Sequence, residues 1–303
     1  MKKSVFLLLA ILLSGAKIYT PDSNGEHTIT PPSSPIHLLP INQLYIPNDT
    51  TWHLVWADEF NQEGAPNPKN WKFEQGFVRN HELQWYQPEN ARCEKGMLII
   101  EARKERMLNP SYKAGSTEWR TSRKTIEYTA SSLNTQGLYS FQYGRFEMRA
   151  KIDTHPGLWP AFWTLGVAGE WPSNGEIDIM EYYRDMLLAN VAWGTNKRYS
   201  AKWRTTKKQL STFTDNHWAE KFHVWRMDWD ETAIQLYVDN ELLNEVLLNE
   251  TINGDGSGKN PFQQPHYILL NLALGGDNGG DPTATTFPAR FEVDYVRVYQ
   301  HPK

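Results

Sequence analysis

The sequence predicts an all-β domain of two packed sheets, extending from Thr51 to Lys303. Short segments of alternating apolar and polar residues recur along this region, separated by Gly, Asn, Asp and Pro turns. No long segment shows the 3.6-residue period of an amphipathic helix. The chain has 303 residues, of which 40% are hydrophobic and 22% charged. This is the composition of a globular protein, and all-β sandwiches of roughly 250 residues often form one domain.

The strand pattern can be followed along the chain. Alternating runs predict strands at Met97–Ala102, Gly144–Ile152, Glu176–Tyr183, His223–Asp228, Ile234–Val238, Tyr267–Leu272 and Phe291–Tyr299. Asp230-Glu231 and Asp239-Asn240 lie between such runs and predict hairpin turns. Two segments, Thr205–Phe213 and Asn216–Lys221, are candidates for a short helix.

The first fifty residues differ from the rest. A basic start, an apolar run of about nine residues and Ser14-Gly15-Ala16 predict a signal peptide over residues 1–16. Residues 17–50, rich in Pro, Ser and Thr, predict a linker. The apolar run is too short to span a bilayer. No cysteine follows it that could carry a lipid, since Cys93 is the single cysteine of the chain. We expect a secreted or periplasmic protein without a membrane span.

Charge limits the partners. The formal net charge is −4, which argues against nucleic acid because phosphate binding needs a dense basic surface. Thirteen Trp and fourteen Tyr residues suit a protein whose aromatic side chains stack on sugar rings. We therefore expect a polysaccharide partner and a monomeric protein.

The most informative segment is the predicted strand Glu176–Tyr183. Side chains of a strand alternate between its faces, so Glu176 and Asp178 share one face. Strict alternation would turn Glu181 toward the core, where a lone carboxylate is very costly. One extra residue in the strand, a β-bulge at Ile179-Met180, would return Glu181 to the face of the other two acids. A solvated acidic strand face is the alternative, but three crowded like charges destabilise it.

Three acids on one strand face suit glycoside hydrolysis with retention of configuration. That reaction needs two carboxyl groups, one nucleophile and one acid/base. An ionised Glu176 raises the pKa of Glu181 and keeps Glu181 protonated as the acid. After Glu176 has formed a glycosyl ester, Glu181 can act as the base on water. Asp178 can hydrogen-bond Glu176 and orient it. No cofactor is needed for this chemistry.

At Glu176, Asp178 and Glu181 the sequence resembles glycoside hydrolase family 16, whose motif is Glu-x-Asp-x-x-Glu. The segments 52–61, 80–86, 157–163 and 292–299 are also similar to that family, and the resemblance covers residues 51–300. It implies a β-jelly-roll sandwich of two antiparallel sheets with an open cleft across the concave sheet. That cleft suits endo-acting cleavage of a β-1,3- or mixed-linkage glucan.

The resemblance also implies further site residues. Trp163 should lie near the sugar next to the cleaved bond, and Trp159 could face the same way. Asn80 and Glu82 are two residues apart, so in a strand they would lie on the same face and could hydrogen-bond sugar hydroxyls. A structural calcium is implied at Glu59, the Gly96 carbonyl and Asp294, where hard oxygen ligands suit the ion.

Two departures from laminarinase-like members of that family bear on the substrate. Trp193 stands where a His often precedes Gly-Thr, and Ser132 stands where a basic residue is frequent. We expect both positions to face the cleft. An endo-β-galactosidase acting on agar-type or mucin-type glycans is therefore an alternative to a glucanase. A non-catalytic glycan-binding jelly-roll protein is a second alternative, although a binder has no need of three crowded carboxylates. Transglycosylation is a third.

Overall fold

A computed structural model describes residues 51–302, which contain seventeen strands. In chain order these are β1 His53–Asp58, β2 Lys72–Phe73, β3 Gln84–Tyr86, β4 Ala91–Glu94, β5 Met97–Leu108, β6 Thr125–Ala130, β7 Ser132–Asn134, β8 Gly144–Lys151, β9 Leu158–Gly166, β10 Glu176–Tyr183, β11 Met186–Gly194, β12 Ala201–Gln209, β13 His223–Trp229, β14 Ala233–Val238, β15 Glu241–Leu247, β16 His266–Leu274 and β17 Ala289–Gln300. Helical structure in this region is limited to α1 (Trp119–Ser122), α2 (Gly276–Gly279) and single 3-10 turns at Pro88–Asn90, Leu210–Thr212, Trp218–Glu220 and Leu248–Glu250.

The strands form two sheets. A ten-stranded sheet has the order β15-β14-β13-β8-β17-β5-β6-β3, with β1 paired to β17 and β4 paired to β5. A seven-stranded sheet has the order β12-β11-β10-β9-β16-β7-β2. Neighbouring strands are antiparallel except β3 and β6, which are parallel. The predicted two-sheet sandwich is therefore confirmed, with one parallel pair at the end of the larger sheet.

The core lies between the inner faces of the two sheets. Its side chains come from alternate positions of both sheets, so that removing them from water holds the sheets together. The ten-stranded sheet contributes Phe146, Met148, Phe291, Val296 and Val298, and the seven-stranded sheet contributes Phe162, Ile177, Val191, Leu270 and Leu272. Each of these side chains is fully buried.

The predicted strands are all present, and the predicted turns join them. Asp230 follows β13, and Asp239 and Asn240 join β14 to β15 with positive φ angles of 47° and 70°. Two consecutive positive φ values are typical of the hairpin turn that matches strand twist. The helix candidate Thr205–Phe213 does not form an α-helix, because the chain continues as β12 to Gln209 before one 3-10 turn. The second helix candidate holds a single 3-10 turn, Trp218–Glu220.

The predicted signal peptide (1–16) and linker (17–50) lie outside the described residues. Within residues 51–302, no helix has the length and apolar character needed to cross a membrane.

Candidate active site

Strand β10 carries the β-bulge that its sequence predicts. Asp178 pairs with Asn190 of β11, and Glu181 pairs with Leu188, so three residues of β10 are matched by two of β11. Against β9 the register shifts between Asp178 and Met180. One extra residue therefore lies between Asp178 and Glu181. It keeps the Glu181 carboxylate out of the apolar core, where its burial would be very costly.

The bulge separates the side chains of β10 into two sets. The apolar set packs in the core and consists of Ile177, Ile179, Met180 and Tyr182. The acidic set lies on the opposite face, in the cleft, and consists of Glu176, Asp178 and Glu181. Asp178 is 2% exposed, whereas Glu176 and Glu181 are partly exposed toward the cleft. The structure thus brings the three predicted acids together.

Each acid is held by a specific donor. Asn190 donates through Nδ2 to Glu181 at 2.6 Å and to Asp178 at 3.1 Å. The indole of Trp159 donates to Glu181 at 2.8 Å, and the indole of Trp171 donates to Glu176. Asp178 also shares hydrogen bonds with both glutamates. These bonds fix the orientation of all three carboxyl groups.

The two glutamates differ in their electrostatic surroundings. Burial raises the pKa of Glu181 to about 7, the charge of Glu176 adds to the increase, and hydrogen bonds from Trp159 and Asn190 oppose it. Burial also raises the pKa of Glu176, against bonds from Trp171 and Asp178 and the charge of Arg79. Burial and both neighbouring carboxylates raise the pKa of Asp178. Burial, more than the Glu176 charge expected from the sequence, therefore keeps a large fraction of Glu181 protonated at pH values up to about 7.

The acids lie in a cleft of about 580 Å³ on the outer face of the seven-stranded sheet. The cleft extends to both sides of β10, over β9 and β16 on one side and over β11 and β12 on the other. Its other lining residues are Glu74, Arg79, Asn80, Glu82, Trp159, Ala161, Trp163, Leu165, Trp171, Tyr183, Leu188, Asn190, Trp203, Thr205, Lys207, Tyr267, Leu269, Asn271 and Asn278. Asn80, Glu82, Trp159 and Trp163 therefore occupy the cleft that the sequence predicts for them.

An apolar floor covers the β9/β16 side of the cleft. Trp163 clusters with Ala161, Tyr267 and Leu269, apart from the main core. Its indole donates to Asn271 at 2.7 Å, and the Arg79 guanidinium lies 5.1 Å above its ring. An anchored ring presents a fixed apolar surface, which suits the C–H face of a sugar.

A loop between β2 and β3 contributes polar groups to the same side. Glu82 is buried and accepts hydrogen bonds from Gln84 at 2.7 Å and from Asn80 at 3.3 Å. Burial raises the pKa of Glu82, while the charge of Arg79 opposes the increase. Asn80 and His81 both adopt a positive φ of 52°. This is a backbone conformation that residues other than glycine rarely adopt.

Two arginines of the segment between β5 and β6 hydrogen-bond the backbone of this loop. Arg120 and Arg123 donate to four of its carbonyl oxygens, those of Phe77, Val78, His81 and Glu82. On the other side, Asp277 of α2 donates its N–H to the Asn80 carbonyl at 2.9 Å. A Cβ at Gly276 would lie 2.4 Å from that carbonyl oxygen, so glycine is required for this close approach.

Two predicted cleft positions need correction. Trp193 is 2% exposed and belongs to the main core, because on β11 it alternates with Asn190 and Ala192, which pair with Asp178 and Glu176. Ser132 is fully buried, and its hydroxyl donates to Glu74 at 2.6 Å. Ser132 therefore affects the cleft through Glu74, and Trp193 does not face the cleft.

The predicted calcium positions lie on the ten-stranded sheet, away from the acids. The Glu59 carboxylate accepts two bonds from Arg297, at 2.7 and 2.8 Å, and Asp294 accepts one from Arg149 at 2.6 Å. No group of three or more His, Cys, Asp or Glu residues in the described part of the chain could hold a metal. Each carboxylate is paired with a guanidinium group, which a calcium ion would have to displace. Calcium at Glu59, Gly96 and Asp294 stays a prediction of the sequence.

Several cleft residues were not predicted from the sequence. Asn190 could have been found from its register opposite Asp178, since the two-residue turn Arg184-Asp185 joins their strands. Trp171 and Arg79 lie in loops whose paths the sequence does not specify. Trp203 and Lys207 lie on β12 (Ala201–Gln209). Lys207 falls within the helix candidate Thr205–Phe213, and Trp203 precedes it.

Substituting the two tryptophans that hydrogen-bond the glutamates should affect different limbs of the pH profile of kcat/KM. Trp159→Phe should shift the alkaline limb, and Trp171→Phe the acidic limb. We expect Glu181 to act as the acid in its protonated form, so kcat/KM should fall as the pH rises through about 7. Trp159→Phe removes a bond that lowers the pKa of Glu181, and the alkaline limb should move to higher pH. Trp171→Phe removes a bond that lowers the pKa of Glu176, so the acidic limb should move to higher pH. Profiles of both variants on one substrate test this, and a shift of the same limb in both would contradict it.

A two-sheet sandwich with crowded, hydrogen-bonded carboxyl groups in an open cleft is the arrangement that glycoside hydrolysis requires. The sequence profile described as "Glycosyl hydrolases family 16" matches residues 80–297. The chain belongs to this family. The predictions of a family 16 member, a jelly-roll fold and a glycosidase are thereby confirmed.

Individual relatives agree with this assignment. A β-glucanase of Rhodothermus marinus is 38% identical over 82% of this chain and 85% of its own length. A solved structure from work on endo-acting O-glycanases, which prominent human gut microbiota express to initiate mucin breakdown, is 35% identical. It has a TM-score of 0.75 and covers 84% of this chain and 92% of its own. The endo-1,3-β-glucanase (laminarinase) catalytic domain of Thermotoga petrophila is 32% identical, with a TM-score of 0.68 and coverages of 83% and 99%.

Proposed function

We propose that the protein is a secreted or periplasmic endo-β-glycosidase that cleaves a polysaccharide with retention of configuration. Glu176 is the nucleophile, Glu181 is the acid/base, and Asp178 orients both. The observation that carries this proposal is the bulged strand β10, which places three hydrogen-bonded acids in the middle of an open cleft. The basic, apolar start of the sequence supports export.

The reaction follows from the state of each carboxyl group. The Glu176 carboxylate attacks the anomeric carbon while the bond to the leaving oxygen breaks, and Glu181 gives that oxygen its proton. Once Glu176 is esterified, its negative charge no longer opposes ionisation of Glu181. Glu181 then takes a proton from water, the water oxygen attacks the anomeric carbon, and the ester bond to Glu176 breaks. Two displacements at one carbon restore the β configuration.

The shape of the cleft supports cleavage within a chain. Binding surfaces lie on both sides of the acids, with Trp163 and Asn80 on one side and Trp203 on the other. A substrate can therefore extend past the cleavage point in both directions. Binding on both sides also lets remote sugars help to position the reacting bond.

A β-1,3- or mixed-linkage glucan is the first substrate candidate. It is supported by the similarity to the β-glucanase of Rhodothermus marinus and to the laminarinase domain of Thermotoga petrophila.

A galactose-containing glycan is the second candidate. It is supported by the similarity to the O-glycanase structure, whose TM-score of 0.75 exceeds the 0.68 of the laminarinase domain. Of the two sequence departures that suggested it, Ser132 still reaches the cleft through Glu74, whereas Trp193 faces the core.

Product analysis on three polymers tests the activity and the substrate together. Purified protein incubated with laminarin, an agar-type galactan and mucin O-glycans should release mixed oligosaccharides from one of them at early times, because mid-chain binding cuts at many positions. Chromatographic sizing of the products gives the result. Release of monosaccharide alone would contradict endo action, and binding of a polymer without cleavage would favour a non-catalytic glycan-binding protein.

A further inference from the structure

The edge strand β12 forms the wall of the cleft opposite the Asn80–Glu82 loop. Trp203 pairs with Ala192, which pairs with Glu176, and Lys207 pairs with Leu188, which pairs with Glu181. Trp203, Thr205 and Lys207 are alternate residues of one strand and all line the cleft. They form a row about 13 Å long beside the acids, at about 3.3 Å per residue. We call this row the β12 wall.

Trp203 is unusually exposed for its size. Its exposed fraction is 45%, and it stands two strands away from the acids. A large aromatic side chain exposed in a cleft is a ready surface for a sugar ring. The β12 wall therefore has the aromatic surface that a sugar subsite needs.

The cations of β12 differ in what they contact. The three whose side chains lie on the face opposite the cleft have partners within the protein, namely Lys202 over the Trp193 ring, Arg204 with Glu250 and Lys208 with Glu241. Lys207, on the cleft face, forms no ion pair with any residue in 51–302. The other cation lining the cleft, Arg79, is paired with Glu74. The exposed ammonium of Lys207 is thus available to a ligand.

We propose that Trp203, Thr205 and Lys207 form a subsite for a sugar that carries an anionic substituent, a sulfate ester or a carboxylate. The sugar ring packs on Trp203, and the substituent pairs with the Lys207 ammonium. This inference rests on the proposed endo-glycosidase activity and specifies the substrate of that same cleft.

Charge explains why an anionic substrate needs such a group. The Glu176 carboxylate lies in the cleft on the strand two positions away, and its negative charge repels an anionic sugar at short range. A cation at the β12 wall offsets this repulsion where the substituent lies and attracts anionic chains to the cleft. Laminarin-type glucan is neutral, whereas keratan and mucin chains carry sulfate and sialic acid carboxylates. The β12 wall therefore favours the galactose-containing candidate.

The test compares matched anionic and neutral substrates. We measure kcat/KM on keratan sulfate and its desulfated form, and on sialylated and desialylated mucin O-glycans. The wild-type protein should prefer the anionic member of at least one pair. Lys207→Met should lower that preference about tenfold, which corresponds to about 1.4 kcal/mol. Lys207→Arg should retain most of it, and added salt should weaken it.

Lys202→Met is the matched control, because Lys202 lies on the same strand with its side chain over Trp193. Its preference should equal that of the wild type. The sulfate pair and the sialate pair show which anionic group is recognised. Equal preferences in Lys207→Met and the wild type, with the glycans still cleaved, would overturn the inference and leave the proposed function intact.

A binding measurement separates the two proposals. Calorimetry with Glu176→Gln protein and the same paired oligosaccharides needs no turnover. Tighter binding of the anionic member, lost when Lys207→Met is added, would support the β12 subsite even if the wild-type protein cleaved none of the glycans. In that case the proposed endo-glycosidase activity would be contradicted, and the β12 subsite would still be supported. Equal binding of anionic and neutral members would overturn the subsite.

Discussion

Alanine at Glu176 or at Glu181 is expected to lower kcat by more than about 100-fold, since each side chain carries a covalent or proton-transfer step in the proposed mechanism. Added azide should then distinguish the two variants on a β-glycoside with a good leaving group. Glu181→Ala still forms the ester at Glu176, and azide displaces it to give a β-glycosyl azide. In Glu176→Ala, azide enters the vacated space and gives an α-glycosyl azide by one displacement. NMR of the products identifies the anomers.

The control for this pair is Glu231→Ala, which changes an exposed glutamate in the turn after β13 and should behave as the wild type. The reverse anomers would mean that the two roles are exchanged. Wild-type products that first appear as the α anomer would contradict a retaining mechanism. Sugar added as acceptor to the wild-type protein would show the share of transglycosylation by the yield of longer chains.

Deletion of Met180 is expected to abolish activity, whereas Met180→Leu should be tolerated. The deletion removes the extra residue of the bulge and turns Glu181 toward the core side chains that Met180 now contacts. A carboxylate there costs several kcal/mol. Methionine to leucine nearly conserves volume and usually costs less than about 1.5 kcal/mol. The kcat per folded molecule and the urea midpoint measure both effects.

Deletion of Gly256 serves as the matched control, because Gly256 lies in an exposed loop where even an added Cβ would meet no atom within 4 Å. It should keep the activity and the urea midpoint close to the wild type. Near-normal kcat in the Met180 deletion would show that the strand can restore the outward position of Glu181 without the bulge.

Strand β10 and its bulge could be predicted from the sequence because the two faces of the strand differ strongly in polarity. Acids and isoleucines alternate up to Ile179, and the position of Glu181 demands one extra residue. On β11 that contrast is missing, since Leu188, Ala192 and Trp193 are all apolar. The sequence alone does not specify which of them faces the cleft, so the cleft position predicted for Trp193 is wrong.

The sequence of β12 does not indicate a strand, and part of it was therefore a candidate for a short helix. As an edge strand it has polar residues on both faces, so no period-2 pattern appears in its sequence. The contacts of Arg79 with Glu74, and of Arg120 and Arg123 with the Asn80 loop, join segments distant in sequence or lie in irregular loops. Such contacts depend on tertiary packing, which local patterns do not encode.

The charges on β12 have a second consequence, for solubility. An edge strand leaves unpaired N–H and C=O groups that another chain could extend into a shared sheet. Lys207 on the cleft face and Lys202 on the opposite face place positive charge on both faces of this edge, whereas Arg204 and Lys208 are paired with carboxylates. A second copy approaching edge to edge would bring like charges together, so the strand discourages aggregation. Substitutions that neutralise β12 therefore risk self-association of the protein at high concentration.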